Sequence, residues 1–300
     1  MPQQPGLDQA KVTEIESKNK MSKRRLKPKT VNKLVSYLLL TVLALFTIMP
    51  FIWTVSTSFK SANESVFSFP PTFIPENFTF ANYIEVWNTL PIPIYLMNSA
   101  ILTFFGVVLP LLFASLAGFA LARINFRGNK IVFILIIATM MIPVEASMIP
   151  IYLILNKMGL VGTYTGVILP TAINAFGIFL MRQAYLGIPK EIEESAIIDG
   201  ANVFQVWWRI MMPMTKPMLA TLAILCFIGA WNNFLWPLIL LKDSSMYPLT
   251  VGLYQLEGQF SANTRHIATG TIIALIPILI VFLALQRHFV ENSGSDSIKG

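Results

Sequence analysis

Long apolar stretches recur along the chain, separated by short segments that carry most of the charged residues. Most of the stretches reach the roughly 20 residues that a helix needs to cross the hydrocarbon of a bilayer. Lipid offers the backbone no hydrogen-bond partner, and the stretches are too continuous for barrel strands. The predicted fold class is therefore all-α, a polytopic membrane helical bundle with about six transmembrane helices. The predicted spans are residues 34–56, 98–122, 131–152, 162–184, 217–240 and 267–286.

Two features modify this prediction. Glu145 interrupts the third stretch, but the apolar pattern continues to Leu155, so residues 131–152 are predicted as one span. Proline removes a backbone donor, so kinks are expected in or beside every span. The prolines concerned are Pro50, Pro110, Pro143, Pro170, Pro237 and Pro277.

Lysine and arginine are shared unevenly between alternate connecting segments. With the N-terminus inside, the inner segments hold 18 of the 22 basic residues. The outer segments hold the other four, Lys60, Lys157, Lys242 and Arg265. Since cytoplasmic loops are enriched in positive charge, both ends of the chain are predicted to lie in the cytoplasm.

The N-terminal tail is basic and polar and has no hydrophobic periodicity. Residues 1–30 are therefore predicted to be disordered, and residues 31–300 to form the transmembrane domain. The net charge of +7 does not indicate a nucleic-acid partner, because the excess lies beside the first span, where it directs topology. The expected surroundings are a lipid bilayer.

Motifs for nucleotide binding and hydrolysis are absent from the sequence. It has no G-x-x-x-x-G-K-[ST] phosphate loop, no H-E-x-x-H pair and no G-x-S-x-G elbow. Its one cysteine, Cys226, excludes an intrachain disulfide and a cysteine-based metal motif. The chain is predicted to hold no catalytic residue, metal or cofactor of its own.

The largest inner loop, at about residues 187–213, carries most of the polar information. Its first part predicts a helix of about three turns, with Pro189 at the first helical position and Gly200 at a left-handed stop. Three acidic residues lie near the positive end of the helix dipole, namely Glu191, Glu193 and Glu194.

A second helix is predicted after the glycine. Asn202 is placed to cap it, and Gln205 lies three residues on, in the position of a capping box. An apolar stripe follows before Pro213 ends the helix, and a stripe of this kind requires a partner surface. From spacing alone, an aromatic face lying on lipid headgroups explains it equally well. The stripe consists of Phe204, Trp207, Trp208 and Met211.

Eight residues of this loop resemble a known motif in order and spacing. It is the EAA motif of ATP-binding-cassette importer permeases, E-A-A-x-x-D-G-A followed at a fixed distance by I-x-x-P. Ser195 departs from it, since the motif has alanine there, but the residue remains small. The eight are Glu194, Ser195, Ala196, Asp199, Gly200, Ala201, Ile210 and Pro213.

The resemblance covers nearly the whole chain and is closest to the maltose-type, sugar-importing permeases. These are binding-protein-dependent transport components of the inner membrane. The segments PENFTFANYIEVW, LARINFRG, MIPVEASMIPIY and WNNF add to the resemblance. It implies a multi-pass subunit in a bacterial or archaeal cytoplasmic membrane.

The resemblance also implies partners and a mechanism. These are a second permease subunit, two ATP-binding subunits that hold ATP and Mg²⁺, and an extracellular sugar-binding protein. The first loop helix is expected to dock on an ATPase subunit, where Glu194 and Asp199 meet a basic rim. The expected coupling residues are Glu194, Ser195, Ala196, Asp199, Gly200, Ala201 and Pro213.

Polar side chains inside spans are costly and usually face protein or a water-filled cavity. Amides beside an aromatic ring suit sugar recognition, so these residues are candidates for a substrate path. The alternative is hydrogen bonding between neighbouring spans. The candidates are Glu145, Asn174, Trp231, Asn232 and Asn233.

Ala114, Gly118 and Ala122 are small residues at four-residue spacing, which lets the second span approach another helix closely. The pattern leaves open whether that helix belongs to this chain or to a partner.

The sequence is less consistent with two other functions. An ion-coupled secondary transporter requires inverted repeats and paired intramembrane carboxylates, but Glu145 is the one plausible intramembrane acid. A membrane-embedded enzyme requires a cluster of nucleophiles, bases or metal ligands within the spans, and none is found.

Overall fold

The computed structural model describes residues 28–259 and 263–295 of the chain. Within those ranges it is helical, with one isolated antiparallel bridge between Lys60 and Phe78, which confirms the all-α class. The helices are α1 (Pro28–Ser58), α2 (Ala81–Thr89), α3 (Ile92–Arg123), α4 (Asn129–Thr139), α5 (Val144–Lys157), α6 (Tyr164–Ile168), α7 (Ala175–Leu186), α8 (Lys190–Ile198), α9 (Val203–Met214), α10 (Lys216–Trp231), α11 (Leu235–Leu240), α12 (Leu249–Gln259) and α13 (Thr264–Ser295).

The chain divides into two compact units at Trp53. In the first unit, the described residues belong to α1, and their apolar side chains from Val35 to Phe51 are exposed. A helix that is apolar and exposed on all sides is suited to lipid or to another membrane helix. The second unit begins at Thr54 and contains the loop and the cavity described below. Most of the predicted disordered tail lies outside the described residues.

In the part of the chain that the structure describes, three helices are continuous, long and apolar enough to cross a membrane. They are Val35–Ser58 within α1, all of α3, and Thr264–Ala284 within α13. Three bent helix pairs raise the number to six if each pair counts as one span: α4 with α5, Tyr164–Thr171 with α7, and α9 with α10.

The predicted third span, residues 131–152, is not a single helix. α4 ends at Thr139, α5 starts at Val144, and their axes differ by 102°. Pro143 precedes α5 with an extended ψ of 135°. A proline donates no backbone hydrogen bond and disfavours helical geometry in the residue before it, which accounts for the break.

The predicted fifth span, residues 217–240, is also interrupted. α10 ends at Trp231, and α11 begins only at Leu235. In an unbroken helix the carbonyl of Asn233 would accept from residue 237, but Pro237 has no N–H to donate. That carbonyl instead accepts from Thr250 Oγ1, at 3.0 Å. The break is thus stabilised by a contact distant in sequence.

The predicted fourth span, residues 162–184, bends by 44° between Tyr164–Thr171 and α7. Asn174 begins α7 as its N-cap, with Oδ1 accepting from the Gly177 N–H at 2.8 Å. An asparagine cap replaces one intrahelical bond at the helix start, so the chain can change direction here.

The small residues of α3 pack against α7 of the same chain. A Cβ at Gly118 would lie 2.8 Å from Met181 Cβ and 2.8 Å from the Arg182 nitrogen. Ala114 is fully buried, and its Cβ faces Gly177. The close neighbour that the sequence left open is therefore α7, and the two backbones are nearly in contact.

Gly118→Ala is expected to destabilise the protein by about 1 to 3 kcal/mol, because the added methyl group meets backbone that cannot move aside. The measurement is the midpoint of thermal unfolding in detergent. Gly229→Ala, on α10, is the control, since a Cβ there meets nothing within 4 Å. Equal midpoints for both variants would contradict the close packing of α3 on α7.

Candidate functional site

The helix–turn–helix predicted for the inner loop is present. α8 runs from Lys190 to Ile198, so Pro189 lies at the N-cap rather than at the first helical position. Gly200 has a φ of +87°, as the left-handed stop requires. Its N–H donates to Ile197 O at 3.0 Å. The turn therefore fixes the direction of the chain after α8.

The predicted capping box at the start of α9 is confirmed. Asn202 Oδ1 accepts from the Gln205 N–H at 2.9 Å, and Gln205 Oε1 accepts from the Asn202 N–H at 2.9 Å. Two backbone donors at the helix start are thus satisfied by side chains, so the second arm of the loop has a defined first residue.

The predicted apolar stripe does not form one surface. Trp207 and Met211 are buried in the core, whereas Phe204 and Trp208 are 64% and 52% exposed. Residues Val206–Met211 form a π-helical turn. A π turn adds a residue to the helical repeat, so side chains spaced for an α-helix no longer share a face.

Buried hydrogen bonds attach α9 to the helices of the core. Trp207 Nε1 donates to Ser115 Oγ of α3 at 3.0 Å. Ser115 Oγ and the Tyr185 hydroxyl of α7 are 2.6 Å apart and share a hydrogen bond. Polar groups buried together in this way are costly to separate. The second arm of the loop is therefore anchored to α3 and α7.

The side of the loop that faces away from the core exposes both acidic and apolar side chains, and we call this side the loop surface. Ile198 is 85% exposed, which is unusual for an isoleucine in a helix with a buried face. Ser195 is exposed, and its hydroxyl donates to Ile192 O at 3.0 Å. The loop surface comprises Glu194, Ile197, Ile198, Asp199, Phe204 and Trp208.

The other predicted coupling residues lie elsewhere in the loop. Ala196 is 8% exposed and belongs to the core, and Ala201 packs against the same core cluster. Pro213 is exposed near the end of α9. The two alanines of the motif therefore face the core, whereas Ser195 and the acidic residues face out.

A cavity of about 740 Å³ lies in the second unit, bordered by α3, α5, α7 and α10. Its described lining is mostly apolar and contains no aspartate, glutamate, lysine, arginine or histidine. Its amide and hydroxyl side chains are Ser99, Thr139, Ser147, Thr171, Asn174 and Asn233.

Each of three helix breaks contributes residues to this cavity. Ile142 lies between α4 and α5, Ile173 between α6 and α7, and Asn233 between α10 and α11. Backbone that leaves helical geometry at membrane depth is tolerated where it lines a cavity or is buried in protein. The cavity therefore provides the surroundings in which these three helix breaks are tolerated.

The loop at residues 241–248 lies beside the cavity, since Pro248 is part of its lining. Asn98 Nδ2 of α3 donates to Ser245 O at 2.8 Å and to Tyr247 O at 2.9 Å. In the same loop, hydrogen bonds from Ser245 to Asp243 hold the pKa of that carboxyl below its usual value. Asp243 Oδ1 accepts from the Ser245 N–H at 2.9 Å and thereby caps the short turn at Ser244–Met246.

Comparison with known proteins identifies the family. The family model described as "Binding-protein-dependent transport system inner membrane component" matches residues 111–292. The chain belongs to this family. The matched range contains the whole inner loop and most of the residues that line the cavity.

Two relatives are also permeases by name. The chain is 36% identical, over 75% of its length and 81% of the relative, to the arabinooligosaccharides transport system permease protein AraQ of Bacillus subtilis (strain 168). It is 31% identical to the lactose transport system permease protein LacG of Rhizobium radiobacter, over 86% of this chain and 94% of the relative.

A solved structure has a similar fold. It is the crystal structure of a bacterial ABC transporter involved in the import of the acidic polysaccharide alginate. One of its chains superposes with a TM-score of 0.79 at 29% identity, covering 88% of this chain and 99% of that chain.

Two of the five predicted path residues of this permease reach the cavity, Asn174 and Asn233. Trp231 does not, since it stacks on Phe227 with ring centroids 5.9 Å apart and donates to Ala274 O of α13 at 3.1 Å. It therefore joins two helices, the alternative role that the sequence left open.

Asn232 and Glu145 are also absent from the cavity lining. Asn232 Nδ2 donates to Ile228 O, one turn back on α10, at 2.9 Å. Glu145 is exposed in the first turn of α5, near the positive end of that helix. Neither residue is placed to contact a molecule in this cavity.

Sequence reasoning missed the hydroxyl side chains of the cavity, because it considered only amides and ionisable groups. Ser99 lies beside Asn98 in α3, and its Oγ accepts from the Leu249 N–H at 2.8 Å. Thr139 precedes the break that contains Pro143, and Thr171 directly follows Pro170 beside the next break. A threonine near a proline at the end of an apolar helix was therefore the available signal.

Proposed function

We propose that this chain is a permease subunit of an ATP-driven, binding-protein-dependent importer that moves a sugar or oligosaccharide across the cytoplasmic membrane. The observation that carries the proposal is the loop surface, which exposes acidic and apolar side chains on a loop anchored to the core. The named relatives transport arabinooligosaccharides and lactose, which supports a sugar as substrate. An ion-coupled secondary transporter is not favoured.

The loop surface suits a groove on an ATPase subunit. Ile198 and Phe204 offer exposed apolar area, and Glu194 and Asp199 offer charge for a basic rim. The complete importer would contain two ATP-binding subunits, a second permease and an extracellular sugar-binding protein. ATP and Mg²⁺ would be held by the ATPase subunits, and this chain would convert their movement into access to the path.

The cavity suits part of a path for a sugar. Amide and hydroxyl groups, such as those of Asn174, Asn233 and Ser99, exchange hydrogen bonds with sugar hydroxyls. The three helix breaks around the cavity would supply positions where its width changes without disturbing the packed helices.

Gly200→Val is expected to reduce uptake while membrane insertion stays normal. A β-branched residue at a φ of +87° strains the turn by roughly 1 to 2 kcal/mol and swings α8 off its docking axis. Substrate uptake, stimulated ATP hydrolysis and co-purification of the ATPase are measured at matched abundance. Gly200→Asn is the control, since asparagine tolerates this conformation and a Cβ meets nothing within 4 Å. If both variants kept normal uptake and normal stimulated ATP hydrolysis, a coupling role for the loop would be contradicted.

Asn233→Leu is expected to lower uptake about five-fold at unchanged abundance, because it removes an amide from the cavity wall at nearly constant volume. Uptake of labelled neutral oligosaccharides is the measurement. Asn232→Leu is the matched control, since the adjacent amide is outside the cavity lining. A path elsewhere would be indicated if the two leucine variants behaved alike.

The orientation is proposed from the uneven distribution of lysine and arginine, and places both termini in the cytoplasm. Reporter domains fused after Glu85 are expected to be active only outside, and those fused after Arg127 or Asp199 only inside. Two reporter enzymes, one active only outside the membrane and one active only inside, measure the side on which each fusion point lies. A single reporter on the other side would require the spans to be redrawn.

A further inference from the structure

Arg123 ends α3, and its guanidinium is buried at the inner end of the helix bundle. Its side chain is 3% exposed. Nη2 donates to Tyr185 O at 2.5 Å and to Ile188 O at 2.5 Å. These carbonyls lie at the end of α7 and in the segment leading to α8, so Arg123 binds the chain where α7 gives way to the loop.

The same guanidinium faces an acid of α8. Arg123 Nε lies 3.6 Å from Glu193 Oε2, and the Glu193 side chain is 19% exposed. This distance is an ion pair rather than a hydrogen bond, and Nε has no hydrogen-bond partner among the described residues. A small approach of α8, from 3.6 Å to about 3.0 Å, would complete the bond.

Removing one partner from a buried ion pair leaves the other charge uncompensated. Loss of Glu193 is therefore expected to destabilise the position of the buried Arg123 guanidinium. The second arm of the loop is attached to the same two helices through Trp207, Ser115 and Tyr185. Both arms of the loop are thus held by α3 and α7, whose backbones are in near contact at Gly118.

We propose that Arg123 is a positioning residue for coupling, and that its pairing with Glu193 transmits displacement of α8 to α3 and α7. The inference rests on the proposed function and deepens it, because it assigns a route from the ATPase subunits to the cavity wall. α3 and α7 supply Ser99 and Phe176 to that wall. A displacement of α8 is therefore transmitted to the cavity wall through α3 and α7 and not through the helix breaks.

A purely structural role for Arg123 makes a different prediction. If the guanidinium only stabilises the fold, its variants lower abundance and unfolding temperature but leave the amount of sugar imported per ATP hydrolysed unchanged. If the pair transmits movement, that ratio falls while the ATPase still binds and hydrolyses ATP. The ratio of uptake to hydrolysis is therefore the deciding measurement.

The test is a double-mutant cycle in the assembled importer, with Arg123→Gln, Glu193→Gln and the double variant at matched abundance. Neutral oligosaccharide uptake and ATP hydrolysis are measured in proteoliposomes with the sugar-binding protein. Glu193→Gln is expected to lower the ratio of uptake to hydrolysis about five-fold, with normal ATPase co-purification. The double variant is expected to be no worse than Arg123→Gln alone, because Glu193 loses its role once the arginine is gone.

The matched controls are Arg127→Gln and Glu191→Gln, which remove exposed charges from neighbouring positions of the same segments. Both are expected to keep the wild-type ratio. If Arg123→Gln does not accumulate, Arg123→Lys replaces it, since lysine keeps the charge but cannot reach both carbonyls and the acid. A wild-type ratio in Glu193→Gln, or losses that simply add in the double variant, would overturn the proposal.

Failure of this inference is distinguishable from failure of the proposed function. In the first case the wild-type importer takes up oligosaccharide in an ATP-dependent way, and Glu193→Gln does so equally well. In the second case the wild-type chain neither co-purifies with an ATPase subunit nor supports ATP-dependent uptake, whatever stands at positions 123 and 193.

Discussion

In the hydrocarbon of a bilayer every backbone N–H and C=O group needs a partner within the protein, and this constraint shapes the chain. Where a proline removes a donor, the freed carbonyl must find another hydrogen bond or the helix must bend. Pro237 is one case, since the Asn233 carbonyl accepts from Thr250 instead. Pro143 is another, since α4 and α5 turn by 102° beside it. Both interruptions lie at the cavity, where irregular backbone is tolerated.

Local features of the loop were predictable from the sequence, because they depend on residues close together in the chain. The conformation of Gly200 and the Asn202–Gln205 capping box follow from turn and cap chemistry alone. The all-α class follows from the length of the apolar stretches. The direction of each arm of the loop was thus available before any tertiary contact was known.

Features that depend on distant contacts were not predictable in this way. The division of the aromatic stripe follows from a π turn and from the bond between Trp207 and Ser115, 92 positions apart. Trp231 matches the residue type of a sugar site, yet its indole N–H is used by α13. Helical periodicity indicates which face of a helix is apolar, but it does not identify which residue on that face contacts a given neighbouring helix.

The two kinds of packing in the second unit have different mechanical consequences. α3 and α7 meet through Gly118 with no room for a methyl group, and closely packed interfaces resist compression and move together. α4 with α5 and α10 with α11 are interrupted where their backbone borders a cavity, so small torsional changes there redirect whole helices. A force applied at the inner loop therefore acts on a stiff pair of helices, and the interrupted helices around the cavity are the elements able to yield to it.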